Sequence, residues 1–276
     1  DFIDDTRVSF IEGDICDRET VKLAMEGHEL VVHFAAESHV DRSIDGSERF
    51  ILTNCVGTNL LCDVAAQMEV ERFVHISTDE TYGSRKHGSF TETDKLEPSS
   101  PYAASKAASD LIALSHHTTN NLPVIITRSS NNYGPFQFPE KLIPLFVTNL
   151  VEGLSVPLYG NGTNVRDWIH VQDNCSAIST VLQKGEIGQI YNIGAGNELS
   201  NLDLTKRLID LCGRDESAIT WVDDRPGHDF RYSIDSTRVR DLGWVPQVDL
   251  QAGLEATVQW YQDNETWWRA KTAKAQ

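Results

Sequence analysis

Apolar residues in the first half of the chain fall in short runs, separated by longer stretches with helical spacing. Val8–Ile11 (V-S-F-I), Leu30–Ala36 (L-V-V-H-F-A-A), Phe73–Ser77 (F-V-H-I-S) and Val124–Arg128 (V-I-I-T-R) have the length and composition of buried strands. Asp17 is placed to cap a helix over R-E-T-V-K-L-A-M-E, and Gly27 to close it. A longer helix is predicted from about Ser47 to Met68, with Leu60, Leu61, Val64 and Ala65 on one stripe. Pro101–Leu114 reads as another, rich in small residues and carrying its proline in the first turn. Short apolar strands alternating with helices predict an α/β fold with a doubly wound, Rossmann-like parallel sheet covered on both faces.

After about residue 130 the alternation breaks down. Glycine, proline and asparagine crowd N-N-Y-G-P, L-Y-G-N-G-T-N and N-I-G-A-G-N-E. A smaller mixed C-terminal lobe is expected over 136–276, with 1–135 and a returning segment at about 165–195 forming the main domain. Residues after Arg269 read as a polar tail, and Trp267 and Trp268 as packing residues of a terminal helix or rim.

Composition narrows the function. The 276 residues suffice for one large core or a core with a lobe. A net charge of −17 argues against a nucleic-acid partner, whose phosphates need a basic face. It leaves room for a small anionic ligand held by a local arginine cluster. No apolar run reaches the roughly 20 residues of a membrane span, and the N-terminal D-F-I-D-D-T lacks the pattern of a signal peptide. Five cysteines at irregular spacing, without C-x-x-C, read as reduced packing residues of a cytoplasmic protein. His116 and His117 would point to different helix faces and no H-E-x-x-H occurs, so no metal is expected.

Two stretches carry chemistry. S-T-D-E-T-Y-G (77–83) sets Thr78, Asp79 and Glu80 directly after an apolar strand, where a turn would need only one of them. S-P-Y-A-A-S-K (100–106) sets Tyr102 and Lys106 four apart, on one helix face. An ammonium beside a phenol favours the phenolate, so this spacing predicts a lowered tyrosine pKa and a base for a sugar hydroxyl. Alone, Y-x-x-x-K more often describes a surface tyrosine with a solvated lysine. Arg166, Arg225 and His228 lie in polar, glycine-rich surroundings, and guanidinium forks match phosphate oxygens.

In order along nearly the whole chain come H-F-A-A-E-S-H-V-D-R-S-I (33–44), I-S-T-D-E-T-Y-G (76–83), S-P-Y-A-A-S-K (100–106), N-N-Y-G-P-F-Q-F-P-E-K-L-I-P (131–144), L-Y-G-N-G-T-N-V-R-D-W-I-H-V-Q-D (158–173) and D-D-R-P-G-H-D-F-R-Y-S-I-D (223–235). With these the chain resembles the extended short-chain dehydrogenase/reductase family of nucleotide-sugar enzymes and, within it, the dTDP-glucose 4,6-dehydratases. The resemblance implies NAD as cofactor and three steps on one hexose. Tyr102 would take the C4 hydroxyl proton as hydride leaves C4. Glu80 would take the C5 proton, Asp79 would protonate the departing C6 hydroxyl, and Thr78 would hydrogen-bond the C4 oxygen. Lys106 completes the catalytic set. Two acids crowded in a dry site divide into one base and one acid, and the Asp-Glu pair separates dehydration from epimerisation.

The resemblance further implies that Asp14, Ile15, Ala35, Ala36, Ser38, Ser77, Tyr102, Lys106 and Asn131 contact NAD. Asp14 as a plain turn residue fits composition almost as well. Substrate contacts would be His39, Thr78, Asn132, Lys141, Leu142, Pro157, Tyr159, Arg166, Asn201, Arg225, His228 and Tyr232. A homodimer through a four-helix bundle, built on the 47–68 helix and the helix from Pro101, would follow. The rival readings are a UDP-sugar epimerase or decarboxylase of the same fold, or an inactive sugar-nucleotide binder.

One departure stands out. The first glycines are Gly13, Gly27 and Gly46, so G-x-x-G-x-x-G is missing. Against the family, the sequence starts just before its third strand. The expectation is a chain lacking two central strands, with a bare apolar sheet edge and weak NAD binding.

Overall fold

The computed structural model describes residues 6–275, with side chains as far as Thr272. The chain divides into two compact units. The first comprises Asp1–Thr81, Leu96–Thr127 and Lys184–Ile190, and the second Tyr82–Lys95, Arg128–Gln183 and Tyr191–Gln276.

In the first unit, α1 (Arg18–Met25) starts where Asp17 accepts from the Glu19 backbone N–H, and Gly27 follows its end at φ +73°. Strand β1 (Leu30–His33) is shorter than its apolar run. Helices α2 (Val40–Asp45), α3 (Glu48–Phe50) and α4 (Thr58–Gln67) follow, and Ile51–Gly57 links the last two as a π-helical segment. The expected long helix is therefore present, but wound wider in the middle. Strand β2 (Arg72–Thr78) pairs parallel with β1, Leu30 opposite Arg72 and His33 opposite His75. Helix α5 (Pro101–Asn120) begins at Ser100, whose hydroxyl accepts from Ala103 N–H, and ends at Asn121 in the left-handed region. Strand β3 (Val124–Ser129) is buried along its length. The core packs Val21, Leu61, Val64, Phe73, Ala113, Val124 and Ile126.

Val8–Ile11 does not form the strand its composition suggests. It has no strand hydrogen bonding, and Val8, Phe10 and Ile11 are exposed. A strand exists only through its partner's backbone, and no described residue pairs with this one.

The second unit holds β4 (Asn131–Tyr133), α6 (Leu142–Val151), β5 (Val156–Tyr159), β6 (Val165–His170) and α7 (Val171–Lys184). Strand β7 (Ile190–Ile193) is the last of a four-stranded sheet of order β1-β2-β3-β7. Then come β8 (Glu198–Ser200), α8 (Asn201–Leu211), β9 (Ile219–Val222), α9 (Thr237–Asp241), α10 (Leu250–Asp263) and α11 (Glu265–Ala275). A three-stranded sheet runs β4-β6-β8, and β5 pairs with β9. Tyr133, Phe146, Trp168, Leu208, Tyr261 and Trp268 build a separate core here. Trp268 is buried and donates its indole N–H to Tyr261 O, the packing role expected of it.

Candidate active site

The C-terminal end of β2 delivers the acids. The backbone leaves the sheet at Thr78 and winds into a 3-10 turn over Asp79–Tyr82. The Thr78 carbonyl accepts from the Thr81 hydroxyl at 2.8 Å, and the Thr78 hydroxyl accepts from Glu80 N–H at 3.2 Å. That hydroxyl also lies 3.3 Å from Asp79 Oδ1. Asp79 is enclosed, 3% exposed, whereas Glu80 is half-buried.

Helix α5 delivers the phenol and the ammonium. Pro101 occupies the first turn, where a missing N–H costs nothing. The Tyr102 N–H donates to Ser43 Oγ at 3.1 Å, and Ser105 Oγ donates to Tyr102 O at 2.7 Å. Lys106, also enclosed, donates from Nζ to Ile76 O at 2.7 Å, reaching the β2 backbone two residues before Thr78. Asn54, in the π-helical segment, donates to both Glu37 O and Ser105 Oγ and accepts from Glu37 N–H. A π turn fits a helix whose buried amide must meet partners on two other elements, and such turns concentrate at functional sites.

The groups converge. Tyr102 is pushed above the ordinary phenol value, first by burial and then by the negative charges of Glu80 and Asp79. A hydrogen bond with the Thr78 side chain pulls the other way. The spacing argument therefore has the wrong sign for the protein alone. Desolvation disfavours the phenolate, and the Lys106 ammonium is engaged by a backbone carbonyl. Burial lowers Lys106 itself to about 8, against the pull of Asp110 and Cys55.

The predicted cofactor residues are distributed as follows. Ala35, Ala36 and Ser38 lie in the segment between β1 and α2, with Ala35 and Ser38 exposed. Ser77 is buried on β2, and its hydroxyl has no hydrogen-bond partner among the described residues. Asn131 begins β4 in the second unit, and its buried Oδ1 is likewise without a partner. Asp14 is exposed and accepts from Cys16 N–H at 2.8 Å, so here it shapes a turn. Ile15 packs against the first core, over Gly57, where an added Cβ would meet its side chain at 2.6 Å. The orphaned Ser77 hydroxyl, with the small residues after β1, fits a dinucleotide that brings its own donors and acceptors.

The substrate residues separate into groups. His39 caps α2, its ring nitrogen accepting from Arg42 N–H at 3.3 Å. In the second unit Arg166, buried on β6, donates to Asp229 O at 2.9 Å and Val165 O at 2.7 Å. Its guanidinium lies over the Tyr232 ring, 4.1 Å from the centroid. Tyr232 donates to Asp229 Oδ2 at 2.8 Å. His228 lies 2.6 Å from Asp224 Oδ1 and meets Tyr159 edge to face, centroids 6.1 Å apart. Burial lowers the His228 pKa. Asp224 raises it in part, while the charges of Arg225 and Arg166 lower it further. The structure thus gathers Tyr159, Arg166, Arg225, His228 and Tyr232. Asn201, first residue of α8, donates its N–H to Asn164 O, and Asn164 donates to Asp229 O. Asn132 on β4, Lys141 and Leu142 at the start of α6, and Pro157 on β5 are held on other elements.

Sequence reasoning passed over Asn54 and three buried groups, His33 and His75 on the sheet and Asp110 on the Tyr-Lys helix itself. Asp110 carried a signal, four residues beyond Lys106. Among the described residues no His/Cys/Asp/Glu cluster is arranged to hold a metal, and no helix is long and apolar enough to cross a membrane.

The family described as GDP-mannose 4,6 dehydratase matches residues 2–257. A dTDP-glucose 4,6-dehydratase of Streptomyces niveus is 52% identical over 260 residues, covering 94% of this chain and 77% of that protein. DesIV, a dTDP-glucose 4,6-dehydratase of Streptomyces venezuelae crystallised with NAD bound, superposes with a TM-score of 0.96 at 53% identity, covering 97% of this chain and 83% of that one. A UDP-glucose 4-epimerase of Thermus thermophilus, in complex with NAD, gives a TM-score of 0.89 at 28% identity over 94% of this chain and 86% of that one.

Proposed function

The chain belongs to the GDP-mannose 4,6-dehydratase family, and from that premise we propose that it is an NAD-dependent dTDP-glucose 4,6-dehydratase. The observation that carries this reading is the meeting of Thr78, Asp79 and Glu80 with the Tyr102 phenol, four side chains supplied by one strand end and one helix start.

Ser77, Lys106 and the Ala35–Ala36 segment would hold NAD, which would supply the acceptor and later the donor of the hydride. In its phenolate form Tyr102 receives the C4 hydroxyl proton, and Thr78 holds the C4 oxygen. The 4-ketone so formed acidifies C5–H. Glu80 removes that proton and Asp79 delivers one to the leaving C6 hydroxyl, so water departs. The more enclosed carboxyl is assigned the donor role and the more open one the base. The bound cofactor would supply hydride back to C6, and with a proton at C5 the product would be the 4-keto-6-deoxy sugar. The Arg166 and Arg225 guanidiniums bind the diphosphate, and Tyr159 packs near the base.

Purified chain supplied with NAD and dTDP-glucose should form dTDP-4-keto-6-deoxyglucose, followed by NMR of the sugar. An unchanged sugar, or one inverted only at C4, would overturn the assignment. A homodimer belongs to the same reading, supported by exposed Ile51, Leu52 and Val56 on the 48–67 helical run and Leu111 on α5. Light scattering should return twice the 30.9 kDa chain mass.

A further inference from the structure

Lys106, Asp110, His75 and His33 are all sequestered from water, a costly arrangement for groups that carry or can carry charge. Only Lys106 has a role in the reaction derived above. Asp110 follows it by one helical turn on α5, the spacing that places two side chains together. His75, from β2, brings Nε2 to 3.4 Å from Asp110 Oδ1 and 3.0 Å from Ser109 Oγ. Ser109 gives its single hydroxyl proton to Lys106 O at 2.8 Å. It must therefore accept from His75, which fixes Nε2 as the protonated ring nitrogen and places that edge of the ring beside Asp110. Behind His75, the His33 ring lies 5.2 Å away between centroids, and its Nε2 is 3.0 Å from Thr58 Oγ1.

We propose that Asp110, with His75 beside it, is the counter-ion that keeps Lys106 an ammonium, and so acts as a positioning residue for the Tyr102–Lys106 pair. The inference rests on the reading of that pair as the proton-transfer groups of the hydride step.

The other charges around Lys106 do not replace it. Cys55 approaches from the π-helical segment and favours the ammonium less than Asp110 does. His33, on β1, is held well below the ordinary imidazole value by burial, then by His75 and Lys106, so it is neutral at pH 7. Tyr102, on the same helix, keeps its proton. Asp79 and Glu80 act on the Tyr102 phenol from the turn after β2. The Ile76 carbonyl contributes a dipole but no net charge. With Asp110 gone, burial would act on Lys106 almost unopposed, and an amine in place of an ammonium would leave the phenol without its cationic neighbour.

The test is a titration of the full chain carrying [ε-13C]lysine, without substrate or added NAD. The Lys106 resonance is identified by its loss in Lys106→Met. In the parent its midpoint should lie near 8. Asp110→Asn should lower that midpoint by about one unit or more, and Asp110→Glu should hold it within about half a unit. A midpoint unmoved in Asp110→Asn would overturn the proposal. Should that variant fail to fold, the Asp110→Asn/Lys106→Met double variant, which removes both charges, should recover a cooperative melt. Failure of the double variant to recover would count against the pair. Because no turnover is measured, a dehydratase assignment that fails leaves this result standing, and the reverse.

Discussion

The start of α5 and the Arg166 cluster of the second unit are both polar and both buried, yet they are built on opposite terms. Around Tyr102 the neighbours push the group away from the form its proposed role requires, since burial, Glu80 and Asp79 all oppose the phenolate. Around Arg166 the neighbours satisfy it, with two backbone carbonyls accepting its N–H groups and the Tyr232 ring beneath its guanidinium. The group proposed to exchange a proton is kept in tension, whereas the group proposed to hold the diphosphate is locked by bonds that do not titrate. The contrast follows from physics, because a guanidinium stays charged under any burial found in proteins while phenols, amines and carboxyls respond to it.

Breaking the tense side should have the largest effect. Asp79→Asn combined with Glu80→Gln should reduce dehydration by about 10²- to 10⁴-fold, the range for losing positioned acid–base groups. C4 oxidation depends on Tyr102 and should survive, so nicotinamide reduction measured optically on substrate addition should persist. Equal loss of both signals would mean that the acid couple does not act at a separate step.

Breaking the locked side should cost less, and in binding rather than in chemistry. Arg166→Ala removes a charge-assisted contact worth about 1.5–3 kcal/mol. Calorimetry should show dTDP binding weakened roughly tenfold or more, with kcat at saturating substrate much less affected. A fall in kcat as deep as that of the acid variants would erase the distinction between the regions.

Legibility in the sequence followed the same division between local and distant causes. The Asp17 cap, Pro101 in the first turn and the apolar runs of β2 and β3 declare themselves locally, and the structure has them. Val8–Ile11 has strand composition too, but pairing is not a local property. The π turn at Ile51–Gly57 is invisible in composition because its partners, Glu37 and Ser105, come from elsewhere in the chain. Tyr102 and Lys106 were readable as a pair from their spacing. The sign of the Tyr102 shift was not, because it depends on burial and on where the Lys106 ammonium points. The contacts of Arg166 with Asp229 and Tyr232 join residues far apart in the chain and have no local trace.

A pH titration of stability should separate the units next. His33 has a folded pKa well below the ordinary imidazole value, with burial the leading cause. The unfolded chain takes up this proton near pH 6.5. The stabilisation is therefore complete above about 6.5 and is lost as the pH falls through that value toward the lower folded pKa. His228 is lowered as well, but Asp224 pulls it back. Replacing His33 by Gln should flatten the fall in melting temperature between pH 7.5 and 5 by about 2–4 °C, and replacing His228 by Gln should flatten it less. The reverse order would show that the second unit, not the first, stores the titratable strain.

The smallest expected effect tests whether the locked region also tolerates loss at its rim. Tyr159 is exposed on β5 and meets His228 only edge to face. Such ring contacts are worth about 0.5–1.5 kcal/mol. Tyr159→Ala should therefore weaken dTDP binding by about threefold to tenfold, leaving kcat unchanged and the melt nearly so, since no core contact is lost. Tyr159→Phe should match the parent, because packing rather than the hydroxyl is invoked. If Phe behaved like Ala in calorimetry, the hydroxyl would be reading the base by hydrogen bonding, and the rim would share the proton-dependent character now confined to the Tyr102 end.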